Sequence, residues 1–130
     1  MQRCYIFGLG VLLAASSALA QSTDARFGSP TRFTATTGEG IYADLCQGCH
    51  MAGGRGATGA GAYPALAQDP RLASSDYVLA MVIRGRKDMP AFGDFLNDDQ
   101  VAAVANFVRS HFGNDFPGEV TAAGVEAARR

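Results

Sequence analysis

The sequence feature that most constrains this chain is the run Cys46-Gln47-Gly48-Cys49-His50, which has the form C-x-x-C-H. Two thiols separated by two residues match neighbouring vinyl groups of a haem, with which they form thioethers, and the histidine that follows can bind the iron. The alternatives are a thiol-redox motif and half of a zinc site. The sequence has no second cysteine pair and no thioredoxin-like βαβ pattern around the motif. The motif therefore predicts a covalently attached haem, with thioethers at both cysteines and His50 on the iron.

The N-terminus predicts export from the cytoplasm. Residues 1–20 carry a positive charge at Arg3, an apolar run from about residue 5 to residue 15, and the small-residue pattern Ala18-Leu19-Ala20. This arrangement is typical of a secretory signal peptide, here cleaved before Gln21. The apolar run is short for a membrane span, so an uncleaved anchor is the less favoured interpretation. We expect a periplasmic protein without stable membrane insertion after cleavage.

Charge and length bound what the remaining chain, 21–130, can do. Without Arg3 it has ten basic and twelve acidic residues, and so it lacks the basic surplus typical of a nucleic-acid-binding protein. Roughly 110 residues form one small domain with a thin core. We therefore expect the haem to complete that core.

Apolar periodicity predicts the main helices. The first covers 36–46, with Thr36 or Thr37 as its cap, and carries Cys46 to the haem. The second covers 74–85 and is apolar on all sides, which indicates a buried helix. The last follows Asn97, which forms a capping box with Gln100. Its apolar stripe consists of Val101, Val104, Ala105 and Val108.

The first helix resembles that of a known family. Gly38, Tyr42 and Cys46 follow one another at four-residue spacing, as in the N-terminal helix of class I cytochromes c. In that family the glycine allows a close crossing with the C-terminal helix, and an aromatic pair lies at the crossing; Phe107 matches the second aromatic. The resemblance covers 37–114. It implies an all-α fold in which the N- and C-terminal helices cross around one covalent haem c, after a lead-in at 21–36. Residues 115–130 would form an extension with a possible short helix.

The resemblance also implies the surroundings of the haem. Pro64-Ala65-Leu66 is similar to the family's Pro-x-Leu, in which the proline carbonyl accepts a hydrogen bond from the proximal histidine. Tyr42, Pro64 and Leu66 are therefore implied to contact the cofactor.

Met89-Pro90 resembles the distal segment of the family, where the methionine is the second axial ligand. Met51 adjoins the proximal His50 and would have to reach the other face of the haem, and Met81 falls inside an apolar helix. The remaining histidine, His111, is better explained as a complement to the dipole at a helix end. Met89 is therefore the expected partner of His50 on the iron.

A class I cytochrome c is an electron carrier and not an enzyme. The resemblance implies that the chain takes electrons from a periplasmic dehydrogenase and passes them to a respiratory carrier or oxidase. Residues 112–114 and 120–121 resemble a tail in cytochrome subunits of alcohol and sugar-acid dehydrogenases, so a tightly bound dehydrogenase subunit stays an alternative. A haem sensor or peroxidase would need Met89 off the iron. With Lys87 as the single lysine, we expect segments 51–62 and 91–93 to form a mainly apolar docking face.

Overall fold

The computed structural model describes residues 33–59 and 61–130, which form a predominantly helical protein. The predicted signal peptide and nearly all of the lead-in segment lie outside the described residues. Among the helices that are described, none is both long enough and apolar enough to cross a bilayer.

Helix α1 covers 38–50 and carries the whole C-x-x-C-H motif. It consists of an α-helical turn at Gly38–Ile41, a π-helical turn at Tyr42–Cys46 and a second α-helical turn at Gln47–His50. Thr37 caps it, because its side-chain oxygen accepts a hydrogen bond of 3.1 Å from the backbone N–H of Gly40. The helix thus starts two residues later than predicted and ends four residues beyond the predicted boundary, with both cysteines inside it.

The other helices begin and end close to their predicted positions. Helix α2 covers Ser75–Arg84, with Ser74 as its N-cap and Gly85 after its end. Helix α3 covers Asp98–Ser110 and starts with the predicted capping box between Asn97 and Gln100. Helix α4 covers Ala122–Arg129, where the sequence allows a further short helix.

Short irregular elements connect the helices. One 3₁₀ turn covers Ala52–Gly54 and another covers Pro70–Ala73. Strands β1 (Ala57–Thr58) and β2 (Ala62–Tyr63) pair antiparallel. This small hairpin is the exception to the all-α architecture among the described residues, and the predicted all-α class is confirmed.

The crossing of α1 and α3 is the central packing contact. A Cβ atom on Gly38 would collide with the backbone carbonyl of Ala103 and with Phe107, so only glycine permits this approach. One helical turn later, the rings of Tyr42 and Phe107 pack with centroids 5.6 Å apart. The close crossing and its aromatic pair are therefore as the resemblance to class I cytochromes c implies.

The core extends from this crossing to the C-terminal helix. The predicted stripe of α3 is buried, as are Val78 and Leu79 of α2. Val120 and Val125, from the segment predicted as an extension, are buried in the same cluster, Val125 completely. Residues beyond 114 therefore contribute to the core that holds α2 and α3 together.

Candidate haem site

A cavity of about 340 Å³ lies between α1, α2, α3 and the loops that connect them. Most of its lining is apolar. It brings together six of the seven residues that the sequence assigns to the haem, namely Cys46, Cys49, His50, Pro64, Leu66 and Met89. The seventh, Tyr42, does not line the cavity.

His50 is held by a hydrogen bond that fixes its orientation. Its Nδ1 lies 2.9 Å from the backbone oxygen of Pro64, and the residue is buried. A carbonyl oxygen can only accept, so Nδ1 carries the proton and donates. The lone pair of the ring is then on Nε2, which is the tautomer that a metal ligand needs. The geometry supports the role that the sequence gives to Pro64.

Met89 reaches the cavity from the loop after α2. Its backbone N–H donates to Arg86 and its carbonyl accepts from the same residue, each at 3.0 Å, which closes a tight turn. Gly85, at φ 66°, starts this turn, and a Cβ atom there would strike the backbone of Met89 and Ala91. The turn places Met89 on the lining of the cavity that His50 also lines.

The other sulfur and imidazole groups are less well placed. Met81, on α2, is half-buried and also lines the cavity, so it is the natural comparison for Met89. Met51 does not line it. His111 lies just past the end of α3, and not in its last turn, and its ring stacks on Phe107 with centroids 4.1 Å apart.

The two cysteines of the motif border the cavity and are not joined to each other by a disulfide. Burial, with a smaller contribution from the neighbouring Cys49, raises the pKa of the Cys46 thiol to about 11. Thiol-disulfide enzymes need a thiol with a lowered pKa, because the thiolate is the nucleophile. The environment of Cys46 therefore disfavours the thiol-redox interpretation of C-x-x-C.

Tyr42 supports the site from behind the cavity. Its hydroxyl donates a 2.7 Å hydrogen bond to the carbonyl of Met51, directly after His50. Its ring also packs against Phe112 with centroids 4.8 Å apart. Met51 has a positive φ of 64°, so this bond fixes the backbone at the point where α1 ends.

Three polar residues that the sequence does not single out as site residues stabilise the loops around the cavity. The Nδ2 of Asn114 donates to the carbonyls of Leu66 and Val108, both at 2.8 Å, while its Oδ1 accepts from the backbone of Asp69. Arg71 forms a 2.8 Å ion pair with Asp69, and both line the cavity. The sequence does not reveal this role of Asn114, because its partners are backbone groups, two of them more than 40 residues away in the chain.

The donor set and the lining fit a covalently attached haem. Cys46 and Cys49, the hydrogen-bonded His50 and Met89 all line one predominantly apolar cavity, and these side chains are the donors that a haem c requires. Charged side chains, namely Asp69, Arg71, Arg86, Lys87 and Asp88, are also part of the lining. An amphipathic ring with carboxylate substituents matches such a combination of apolar wall and polar groups.

Comparison with known proteins identifies the family. The sequence model described as cytochrome c oxidase, cbb3-type, subunit III matches residues 33–108. The chain is 35% identical over 106 residues to the gluconate 2-dehydrogenase cytochrome c subunit of Pantoea cypripedii, and the alignment covers 72% of this chain and 24% of that protein. It is 30% identical over 114 residues to the fructose dehydrogenase cytochrome subunit of Gluconobacter japonicus, and this alignment covers 76% of this chain and 23% of that protein.

The chain thus spans about a quarter of the length of these two relatives. The solved structure of cytochrome c6 from the diatom Phaeodactylum tricornutum is 29% identical, covers 70% of this chain and 93% of that chain, and gives a TM-score of 0.46.

The family match extends over more than half of the chain and includes α1, α2 and nearly all of α3. It thereby contains the C-x-x-C-H motif and the distal Met89 loop. The protein therefore belongs to the c-type cytochrome family that this cbb3-type subunit III model describes, with a class I fold and a covalently bound haem c.

Proposed function

We propose that this chain carries single electrons and catalyses no reaction of its own. The observation that carries the proposal is the hydrogen bond from His50 to Pro64 inside a cavity that Met89 also lines. His50 and Met89 would both bind the haem iron, and this would leave no position on it for a substrate.

Each residue of the site has a distinct part in this proposal. Cys46 and Cys49 would form the thioethers that prevent the haem from dissociating. His50 and Met89 would bind the iron, and the hydrogen bond to Pro64 would make the imidazole a better electron-pair donor to it. The bound haem supplies a one-electron Fe(III)/Fe(II) couple. The soft, neutral thioether of Met89 favours the ferrous state and so raises the reduction potential.

The proposed electron donor is a dehydrogenase in the periplasm. Two relatives are named as the cytochrome subunits of a gluconate and a fructose dehydrogenase, which supports this class of partner. The acceptor would be a respiratory carrier or a terminal oxidase. Segment 1–20 resembles a secretory signal peptide and so supports export. After export, this protein and the proposed dehydrogenase would lie in the same compartment.

A second candidate is a permanent subunit of such a dehydrogenase. The names of the relatives favour it directly, because each describes a subunit. Purification of the chain from its native source separates the two. A free carrier elutes alone, whereas a fixed subunit elutes with a dehydrogenase through high salt.

The ligand assignment is tested by replacing Met89 with alanine, with Met81→Ala as the matched control. Both methionines line the cavity, and both variants remove the same side-chain atoms, so the two differ only in which methionine is lost. The oxidised wild type should show the weak far-red iron–thioether charge-transfer band. Met89→Ala should abolish that band and allow carbon monoxide to bind the reduced protein, while Met81→Ala should preserve the band.

Two results would contradict the assignment. Carbon monoxide that binds readily to the reduced wild type would indicate an open distal position and favour a sensor or a peroxidase. Loss of the band in Met81→Ala, but not in Met89→Ala, would show that the ligand is Met81 on α2.

A further inference from the structure

The segment that follows Met89 has little regular structure of its own. Its first part is attached to α2, because Phe92 donates its backbone N–H to the carbonyl of Val82 at 2.9 Å and Gly93 donates to Ile83 at 3.1 Å. The N–H of Leu96 returns to Phe92 at 2.9 Å. These bonds use the N–H groups of the segment and leave the carbonyls of Gly93 and Leu96 in need of donors.

Arg129 supplies those donors from the other end of the chain. Its guanidinium donates to the carbonyl of Gly93, to that of Leu96 at 2.8 Å, and to the carboxylate of Asp98 at 2.6 Å. Hydrogen bonds from a charged donor are about twice as strong as neutral ones, and the planar guanidinium holds several acceptors in a fixed arrangement. One side chain thus ties together three points between Met89 and the start of α3.

The helix that carries Arg129 is itself well anchored. Val125 is completely buried and Thr121 caps the N-terminus of α4. Near the C-terminus, the Arg84 guanidinium donates to the carbonyl of Ala128 at 2.8 Å. Arg129 therefore acts from a fixed support that is packed on α2 and α3, and not from a fraying end.

We propose that Arg129 is a positioning residue for the distal ligand, through the segment that follows Met89. This inference rests on the proposed function, because it takes Met89 as the axial ligand. The hydrogen bonds of Arg129 keep the end of the segment closed, and this limits how often the thioether can leave the iron. Without them the segment opens more often, since ligand-bearing loops are held by few local contacts.

The test measures imidazole binding to the oxidised, full-length holoprotein, well below its unfolding temperature. Imidazole competes with the thioether and reports the population of the open segment. Arg129→Ala should bind imidazole roughly tenfold more tightly or better, as expected from losing hydrogen bonds to a charged donor. Arg129→Lys should give an intermediate value, because an ammonium group lacks the fork that reaches several acceptors.

Two controls separate positioning from general destabilisation. Arg130→Ala removes a neighbouring, exposed arginine whose only described ion pair is to Glu126 at 3.7 Å. It should bind imidazole as the wild type does. Gly38→Ala overpacks the distant α1–α3 crossing. It should lower the unfolding temperature and leave imidazole affinity unchanged.

The outcomes that overturn the inference are distinct from those that overturn the proposed function. If the wild type has the far-red band and Arg129→Ala binds imidazole no more tightly, the inference alone is wrong. The same holds if Gly38→Ala raises imidazole affinity as much as Arg129→Ala does at an equal loss of unfolding temperature. If the wild type lacks the far-red band, both the ligand set and the inference are wrong.

Discussion

Arg109 is a buried cation that has no carboxylate partner among the described residues. It is 3% exposed, and its guanidinium donates to the carbonyls of Leu72, Ala73, Pro117 and Gly118. Burying a charge is costly unless its donors are satisfied, and these carbonyls satisfy them. The residue joins the turn before α2 to the segment before α4, so its hydrogen bonds stabilise two irregular regions at once.

Roles of this kind are difficult to predict from the sequence. Arg109 fits the last turn of a helix, where a cation complements the dipole, and nothing near it indicates burial. Arg129 and Asn114 likewise bind backbone carbonyls of residues distant in the chain. Backbone carbonyls carry no sequence signature, and so these contacts become visible only in three dimensions. The C-x-x-C-H and Met-Pro motifs, in contrast, carry their chemistry in adjacent residues and can be recognised in the sequence. The ligand site that they predict remains a prediction, and the cavity supports it.

Asp69 makes the stability of the folded protein depend on pH. The hydrogen bond from Arg71 holds the pKa of this carboxyl below its ordinary value of 3.8, against the opposing effect of burial. A lowered pKa in the folded state means that the stabilisation is complete above the ordinary value and is lost as pH falls through the folded-state pKa.

The matching variant is Asp69→Asn, which retains an oxygen to accept the backbone N–H of Arg71 but loses the charge. We expect the free energy of unfolding to be lower than that of the wild type near pH 6, with the difference shrinking below about pH 4. Urea unfolding followed by circular dichroism over this pH series measures the effect. A difference that stays constant down to pH 2.5 would show that the Asp69–Arg71 pair is not responsible.

Helix α1 shows how far local patterns determine an element. Thr37 and the apolar residues predict its start and its buried face, because capping and periodicity depend on neighbours in the sequence. The prediction ends the helix at Cys46, whereas it continues to His50 through a π turn in which Gln47 donates to Tyr42. No sequence rule indicates that turn. Such π turns are frequent at functional sites, and this one lies where the chain passes from the helix crossing to the haem motif.

The crossing of α1 and α3 leads to a prediction about Gly38. Gly38→Ala adds a methyl group against the backbone of Ala103, which cannot move aside as a flexible side chain would. We expect a loss of about 1–3 kcal/mol in the free energy of unfolding, as for other overpacked contacts. Urea unfolding of the holoprotein measures it.

Gly124→Ala on α4 is the control for helix propensity. A Cβ atom there meets only Thr121, at an ordinary 3.6 Å. This variant should gain roughly 0.5–1 kcal/mol, because alanine is the better helix former. Equal effects of the two substitutions would show that the close crossing is not what requires glycine at position 38.

Among the described residues, helices α1, α2 and α3 surround the haem cavity. Helices α2 and α3 pack against each other, α1 crosses α3, and α4 packs on both α2 and α3. The resemblance to class I cytochromes c, carried by one glycine and two aromatics, implies the crossing, but not that α4 belongs to the same core. The sequence of α4 is dominated by alanine, with Val125 as its single large apolar side chain. Its position therefore depends on long-range contacts, chiefly those of Arg129 and Val125.

The surface around the cavity determines how a partner would approach the haem. Tyr63 is 40% exposed beside Ala62 and Pro64 on the cavity lining, whereas Phe92, predicted for the docking face, is half-buried and packs on the core. The charged residues Arg86, Lys87 and Asp88 carry little net charge together. Long-range attraction follows the net charge around a site, so electrostatic steering should be weak.

We therefore expect docking by apolar contact centred on Tyr63. The measurement is the second-order rate at which a purified donor dehydrogenase reduces the protein across a salt series. The rate should change little with salt. Tyr63→Glu and Tyr63→Lys should both slow the reaction by tenfold or more, since a charge of either sign is desolvated on docking, and Arg86→Ala should have a small effect. A steep decrease with salt, together with faster reduction of Tyr63→Lys, would instead show that an acidic partner docks by charge pairing.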